Sequence, residues 1–265
     1  MQTATLAESK PAESKSRGIS AEEWQLRVQL AACYRIFDYQ GWTELIFNHI
    51  SMRVPGPEHH FLINPYGLWY SEVTASNLVK IDLDGNIIGD SDYPVNKAGF
   101  VIHSAVHAAR EDALCIMHTH TTAGSAVACQ EQGLKLDNFY SAFISGNLAY
   151  HDFQGLTVYP QEREDLVSSL GNKGFMLLRN HGPLTVGNSI PQAFMRMWML
   201  QRACEIQLAA HAAGDATIPL SGDAIAASQQ GQNESVKDDE ASDIDQIVFD
   251  ALVRKIDRID TSYRD

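Results

Sequence analysis

The sequence predicts an α/β fold in which a mixed, largely antiparallel central sheet lies between layers of helices, an α/β/α arrangement. Three observations carry this. Short apolar runs of strand length, among them "HFLI" (60–63), "LCIM" (114–117) and "GFMLL" (174–178), alternate with longer stretches of helical periodicity. The strands outnumber those of a doubly wound fold of this length, and "VKIDLDGNIIG" turns through Asp84-Gly85-Asn86 as a hairpin does. No G-x-G-x-x-G occurs. With 265 residues, 45% of them hydrophobic, the chain can bury one large core.

Each element has its own signal. From Ala21 to Gln40 apolar residues recur at helical spacing, behind a Ser20/Glu23 capping box. "GWTELIFNHISMRVPG" reads as a turn and a strand, and "HFLINPYG" as a second strand ended by Asn-Pro and Gly. "GFVIHSAVHAARED" is helical, followed by the strand that ends in His118-Thr119-His120 and a small-residue helix, "TTAGSAVACQEQ". "GFMLLRNHGPLTVG" gives two strands meeting at Asn180-His181-Gly182-Pro183. "IPQAFMRMWMLQRACEIQLAAHAAG" is a long helix with Pro in its first turn and Gly214 at its end. The organisation expected is a flexible leader (1–20), a domain (21–214), a Gly/Ser/Gln/Asp/Glu-rich linker (215–243) and a C-terminal helix and tail (244–265) that packs on the domain or on a neighbouring subunit.

Net charge of −13 argues against nucleic acid or an anionic membrane as partner, while leaving room for a small anionic substrate in a locally positive pocket. No apolar run is long enough to span a bilayer and no signal-peptide core is visible, so a cytoplasmic protein is expected. Cys33, Cys115, Cys129 and Cys204 are far apart and form no C-x-x-C, which fits reduced thiols.

The chemistry concentrates in histidines. On a strand, His118 and His120 leave the same face, and two neighbouring imidazoles can share a metal ion. A pair of hydrogen-bonded polar residues at a strand end is the alternative. His181, just past an apolar strand at a Gly-Pro turn, can project beyond the sheet and complete a three-histidine site with open coordination positions. His59 and His60 read as solvated loop residues, His107 and His211 as helix-surface positions, and His151 as either structural or functional.

The pattern "HSAVHAAREDALCIMHTHTTAGSAVA … LLRNHGPLTVG", spanning about Val28 to Gly214, resembles the class II aldolase and adducin head-domain family, and within it the adducin-like branch. The resemblance implies a divalent metal, most often Zn2+, on His118, His120 and His181. It implies a lyase-type reaction (aldol cleavage, decarboxylation or epimerisation) on a small carbonyl or hydroxy substrate through a stabilised enediolate. It also implies a homotetramer with sites at subunit boundaries. The family's acid, four residues before His103, is Gly99 here, so His103 is the expected replacement as catalytic residue or ligand. Tyr140 matches a proton-donating tyrosine, with a packed strand aromatic as the other reading. Asn48, Gly67 and Lys97 fall on substrate-binding segments whose hydroxyl pair is missing. Tyr263 is a weak match to a residue that closes the site. The lost acid keeps a second class open: a non-catalytic adducin-like binding or scaffold protein on the same fold.

Overall fold

The computed structural model describes residues 18–155, 160–214, 216–237 and 240–265; the expected leader falls almost wholly outside them. A seven-stranded sheet organises the chain, in the order β3-β2-β1-β4-β7-β6-β5. Its strands are β1 (His49–Arg53), β2 (Phe61–Ile63), β3 (Val79–Ile81), β4 (Cys115–His118), β5 (Leu148–His151), β6 (Phe175–Leu178) and β7 (Gly182–Gly187). Every pairing is antiparallel except β5 with β6. The mixed, largely antiparallel sheet of an α/β fold is therefore what the chain forms.

Period-two alternation decides which layer each strand residue meets. In β4, Cys115 and Met117 join the core beneath α1 (Ala21–Gln40) and α6 (Ile190–Ala212), whereas Ile116 joins the one beneath α2 (Lys97–Ala109) and α5 (Pro160–Leu170). In β6, Phe175 and Leu177 face α3 (Thr122–Ala128), α4 (Phe139–Ile144) and α6, while Met176 and Leu178 face α2 and α5. The sheet is thus covered on both faces.

β1 breaks the apolar rule on one side. Ile50 and Met52 enter the α1/α6 core, so His49, Ser51 and Arg53 point towards α2, all buried. The register sets His49 directly opposite His118. α2 answers with His103 and His107, one turn apart and both fully buried. The expected surface position of His107 is corrected: its helix face packs on β1, not on water.

Three further expectations change. Ser20 Oγ accepts the Glu23 N–H at 3.1 Å, but the Glu23 carboxylate does not reach back to complete a capping box. It pairs instead with the buried Arg27 guanidinium at 2.9 Å and with Lys80 at 2.7 Å, because a buried cation needs its counterion. The segment expected as a linker carries α7 (Gly222–Lys237) and the start of α8 (Glu240–Asp257). Ser221 Oγ accepts the Ala224 N–H to start α7, and Gln229 donates to Ser145 Oγ from α7 to the end of α4. Polar composition reads as a linker there, yet Ala, Gln, Glu and Lys are also good helix formers. Third, Tyr263 does not close a site: it is fully buried against the α1 core, and its hydroxyl donates to Asp257 at 2.6 Å.

α8 lies on α1 and α6 through Phe249, which is 1% exposed and meets Phe194 edge-on at 5.9 Å. Phe249→Ala should therefore destabilise the whole domain by about 3–5 kcal/mol. Urea denaturation followed by circular dichroism should show one transition shifted to lower urea; an unchanged main transition would mean that α8 is not part of the domain's core.

Candidate metal centre

Two antiparallel connections deliver the three histidines. β4 ends at His118, with His120 two residues beyond it, and the turn from β6 to β7 carries His181. That turn is tight: Asn180 takes a left-handed conformation (φ 56°), and a Cβ on Gly182 would stand 2.3 Å from the Thr119 carbonyl oxygen. α3 then buttresses the turn, as Ser125 Oγ donates to the His181 carbonyl at 2.8 Å.

The three Nε2 atoms converge, with separations of 2.8 Å (118 to 120), 2.9 Å (120 to 181) and 3.2 Å (118 to 181). His118 forms the buried floor; His120 and His181 are half-buried. The Pro183 carbonyl accepts from His118 Nδ1 at 2.9 Å, so His118 carries its proton there and turns a lone pair on Nε2 towards the other two. Three mutually touching neutral nitrogens, each either donor or acceptor, can make at most two complementary contacts. The third sets lone pair against lone pair or proton against proton. A divalent cation removes the conflict by taking all three lone pairs. Bonds of about 2.0–2.1 Å to a tetrahedral ion would hold the nitrogens roughly 3.4 Å apart, a spread of only a few tenths of an ångström. The donor set thus fits zinc or a similar ion with ligand positions left open.

Electrostatics agree with this. Burial holds His118 well below the ordinary imidazole range, reinforced by His181 and His120, and takes His181 down to about 4. Burial also lowers His120, opposed by the Glu44 carboxylate. The imidazoles are therefore neutral, the form that binds metal.

The other expected residues separate. Asn48 is 1% exposed; its Oδ1 accepts the His120 backbone N–H at 3.1 Å and its Nδ2 donates to the Trp42 carbonyl at 2.9 Å. It braces the loop that carries His120. His103 is not a ligand. Its Nε2 meets His49 Nδ1 at 2.8 Å and its Nδ1 meets Ser51 Oγ at 2.6 Å, so both ring nitrogens are spent inside the protein. Tyr140 lies in a helix, α4, not a strand, with its ring edge-on to Trp198 of α6 at 5.3 Å. Lys97 is exposed at the start of α2, and Gly67 is exposed in a turn with φ 108°.

Sequence reasoning missed His49. A Cβ on Gly99 would stand 2.5–2.9 Å from three atoms of the His49 ring, so that imidazole fills the room beside the α2 backbone where a side chain at 99 would go. It also packs against His118, ring centroids 5.1 Å apart. The signal was present in "NHISMR": alternation puts His49, Ser51 and Arg53 on one strand face, opposite the His103/His107 face of α2. Glu44 and the exposed Phe153, whose ring centroid is 6.5 Å from that of His181, were missed too. Both sit in loops without periodicity.

Known proteins share this fold. The class II aldolase and adducin N-terminal domain profile covers residues 28–208. The crystal structure of an aldolase II superfamily protein from Pseudomonas syringae is 43% identical, covers 95% of this chain and 100% of its own, and superposes with a TM-score of 0.86. An L-fuculose 1-phosphate aldolase from Glaciozyma antarctica PI12 is 29% identical, covers 97% of both chains and gives a TM-score of 0.80. Mouse alpha-adducin is 50% identical over 186 residues, which make up 69% of this chain and 25% of the adducin. The chain belongs to the class II aldolase and adducin N-terminal domain family.

Proposed function

We propose that this chain is a divalent-metal-dependent, lyase-type enzyme that acts on a small hydroxy-carbonyl compound by aldol cleavage, decarboxylation or epimerisation. The observation that carries this reading is the convergence of the His118, His120 and His181 Nε2 atoms within 2.8–3.2 Å. A zinc ion held there would supply Lewis-acid polarisation of a carbonyl group. The chain's own residues do the rest. Pro183 O, the Asn48 amide and Ser125 Oγ fix the three histidine-bearing segments, so that no reorganisation is needed when a ligand arrives. Lys97, exposed at the start of α2, offers a positive charge to an anionic end of the substrate, and Gly67 marks a turn open to its backbone amide.

A proton donor for oxygen is expected from Tyr140 of a neighbouring subunit. Tyr140 lies beside Phe139, 65% exposed, whose ring packs on Phe143 at 4.8 Å. Phe153, 55% exposed, borders His181. Aromatic rings in such positions are what a subunit interface covers, and a homotetramer joined through them brings Tyr140 to another chain's histidines. A second reading, a binding or scaffold protein, is favoured by Gly99 in place of an acid and by the likeness to alpha-adducin.

The first test is metal content. Protein purified without chelators or a metal-binding tag should hold about one zinc per chain by mass spectrometry. His120→Ala should lower zinc affinity by at least about tenfold, since changing even a group that only supports a ligand costs that much. Undiminished occupancy in that variant overturns the metal centre and leaves the scaffold reading. The second is light scattering, where the mass should be four chains. A monomer at micromolar concentration removes Tyr140 as a donor in trans.

A further inference from the structure

The His49 ring belongs to a buried chain whose every proton is determined. His107 Nδ1 lies 2.9 Å from the Ala113 carbonyl oxygen, which can only accept, so His107 is protonated on Nδ1 and bare on Nε2. The Ser51 hydroxyl, 2.7 Å from that Nε2, must donate to it. Having spent its proton, Ser51 Oγ accepts from His103 Nδ1 at 2.6 Å. His103 Nε2 is then bare and accepts from His49 Nδ1 at 2.8 Å. His49 is left with its lone pair on Nε2. The direction of four consecutive hydrogen bonds follows from one backbone carbonyl, provided each ring is neutral. Burial secures that, since His103 and His107 are wholly enclosed and the His49 ring is 3% exposed, where an imidazolium would lose its hydration.

The position of the His49 ring gives that lone pair a use. His49 is the cross-strand partner of His118, and its ring lies 5.1 Å from the His118 ring. Yet it is not a fourth member of the converged nitrogen set, which comprises His118, His120 and His181 among the described residues. An imidazole beside a metal centre but outside its ligand sphere, held as an acceptor, suits a hydroxyl on whatever the triad binds. We propose that His49 is the acceptor that positions a hydroxyl-bearing ligand at the triad, and that the His103–Ser51–His107 chain exists to keep its Nε2 unprotonated. Gly99 is part of this device, because any larger side chain there would displace the ring. The inference rests on the metal-enzyme reading but makes a claim of its own about this chain's tautomers.

Two measurements test it, and they separate its failure from that of the metal reading. Nitrogen NMR of the full-length, 15N-histidine-labelled protein without zinc should show His49, His103 and His107 all as Nδ1–H tautomers. An Nε2–H tautomer at His49 overturns the proposal whatever the metal does. On adding zinc, the Nε2 signals of His118, His120 and His181 should move to the coordinated range while His49 Nε2 does not. A coordinated His49 overturns it, and no zinc binding at all overturns the metal reading. Binding to the zinc-loaded protein should then be compared for glycolate, which has a hydroxyl, and methoxyacetate, which has none to donate. Wild type should favour glycolate by about tenfold, the worth of one hydrogen bond. His49→Asn keeps an amide donor where Nδ1 stood but has nothing at Nε2, so the preference should vanish. His49→Gln, with an amide oxygen available near the Nε2 position, should restore part of it. Zinc-loaded wild type that ignores glycolate, or a His49→Asn variant that keeps the preference, overturns the proposal.

Discussion

One backbone carbonyl, that of Pro183, holds the site together. It accepts the Thr119 N–H at 3.1 Å and His118 Nδ1 at 2.9 Å, so it joins the end of β4 to the start of β7 and sets the His118 tautomer at once. Proline is well suited to this place. It adds no N–H of its own at the turn, and its ring packs against α3, where a Cβ on Gly124 would come within 2.3 Å of Pro183 Cγ. The contact fixes how far His181 stands from His118, because His181 immediately precedes Gly182-Pro183. A shift of this turn would misplace a ligand and free a tautomer together.

The same logic governs the β1/α2 layer. Burying four imidazoles (His49, His103, His107 and His118) is tolerable only if none is charged and each polar atom is matched. Hydrogen bonds through Ser51 and to the Ala113 and Pro183 carbonyls match every ring nitrogen but the Nε2 atoms of His49 and His118, and strand alternation makes this compatible with an apolar core on the other face. A polar network of this kind is stabilising when complete and a liability when broken, so its members stand or fall as a set. Gly99, His49 and His103 are then one structural solution and not three independent departures from an acid-bearing site.

The mixed sheet, the strands β1, β2, β4, β6 and β7 and the convergence of His118, His120 and His181 were legible in the sequence because each is written in local periodicity or in a short turn motif, whereas α4, β5 and α5 carried no such signal. β4 and β7 announce themselves as apolar runs, and the "NHGP" turn places His181. The role of His103 was misjudged for a different reason: helix geometry shows which residues share a face but not what that face meets. Only the β1–β4 register reveals that His49 lies between α2 and His118. The bracing role of Asn48 was not legible because nothing in the chain shows that its amide bonds to His120 and Trp42, contacts 72 and 6 residues away. At 215–243, composition alone suggests a linker, although Ser221 and the residues after it start a helix that docks on α4.

The balance between enzyme and scaffold turns on what the triad does to stability. Three imidazole nitrogens within 3.2 Å of one another, partly shielded from water, leave at least one pair mismatched when no cation joins them, and that repulsion opposes folding. A chain under selection for a binding surface alone would relieve that repulsion by changing any one of the three histidines. Keeping it, beside a buried histidine chain that packs on His118, is strain of the kind that functional sites hold and scaffolds shed. Likeness to alpha-adducin concerns the fold and the sequence around it, whereas the converged nitrogens belong to a site, and function follows the site.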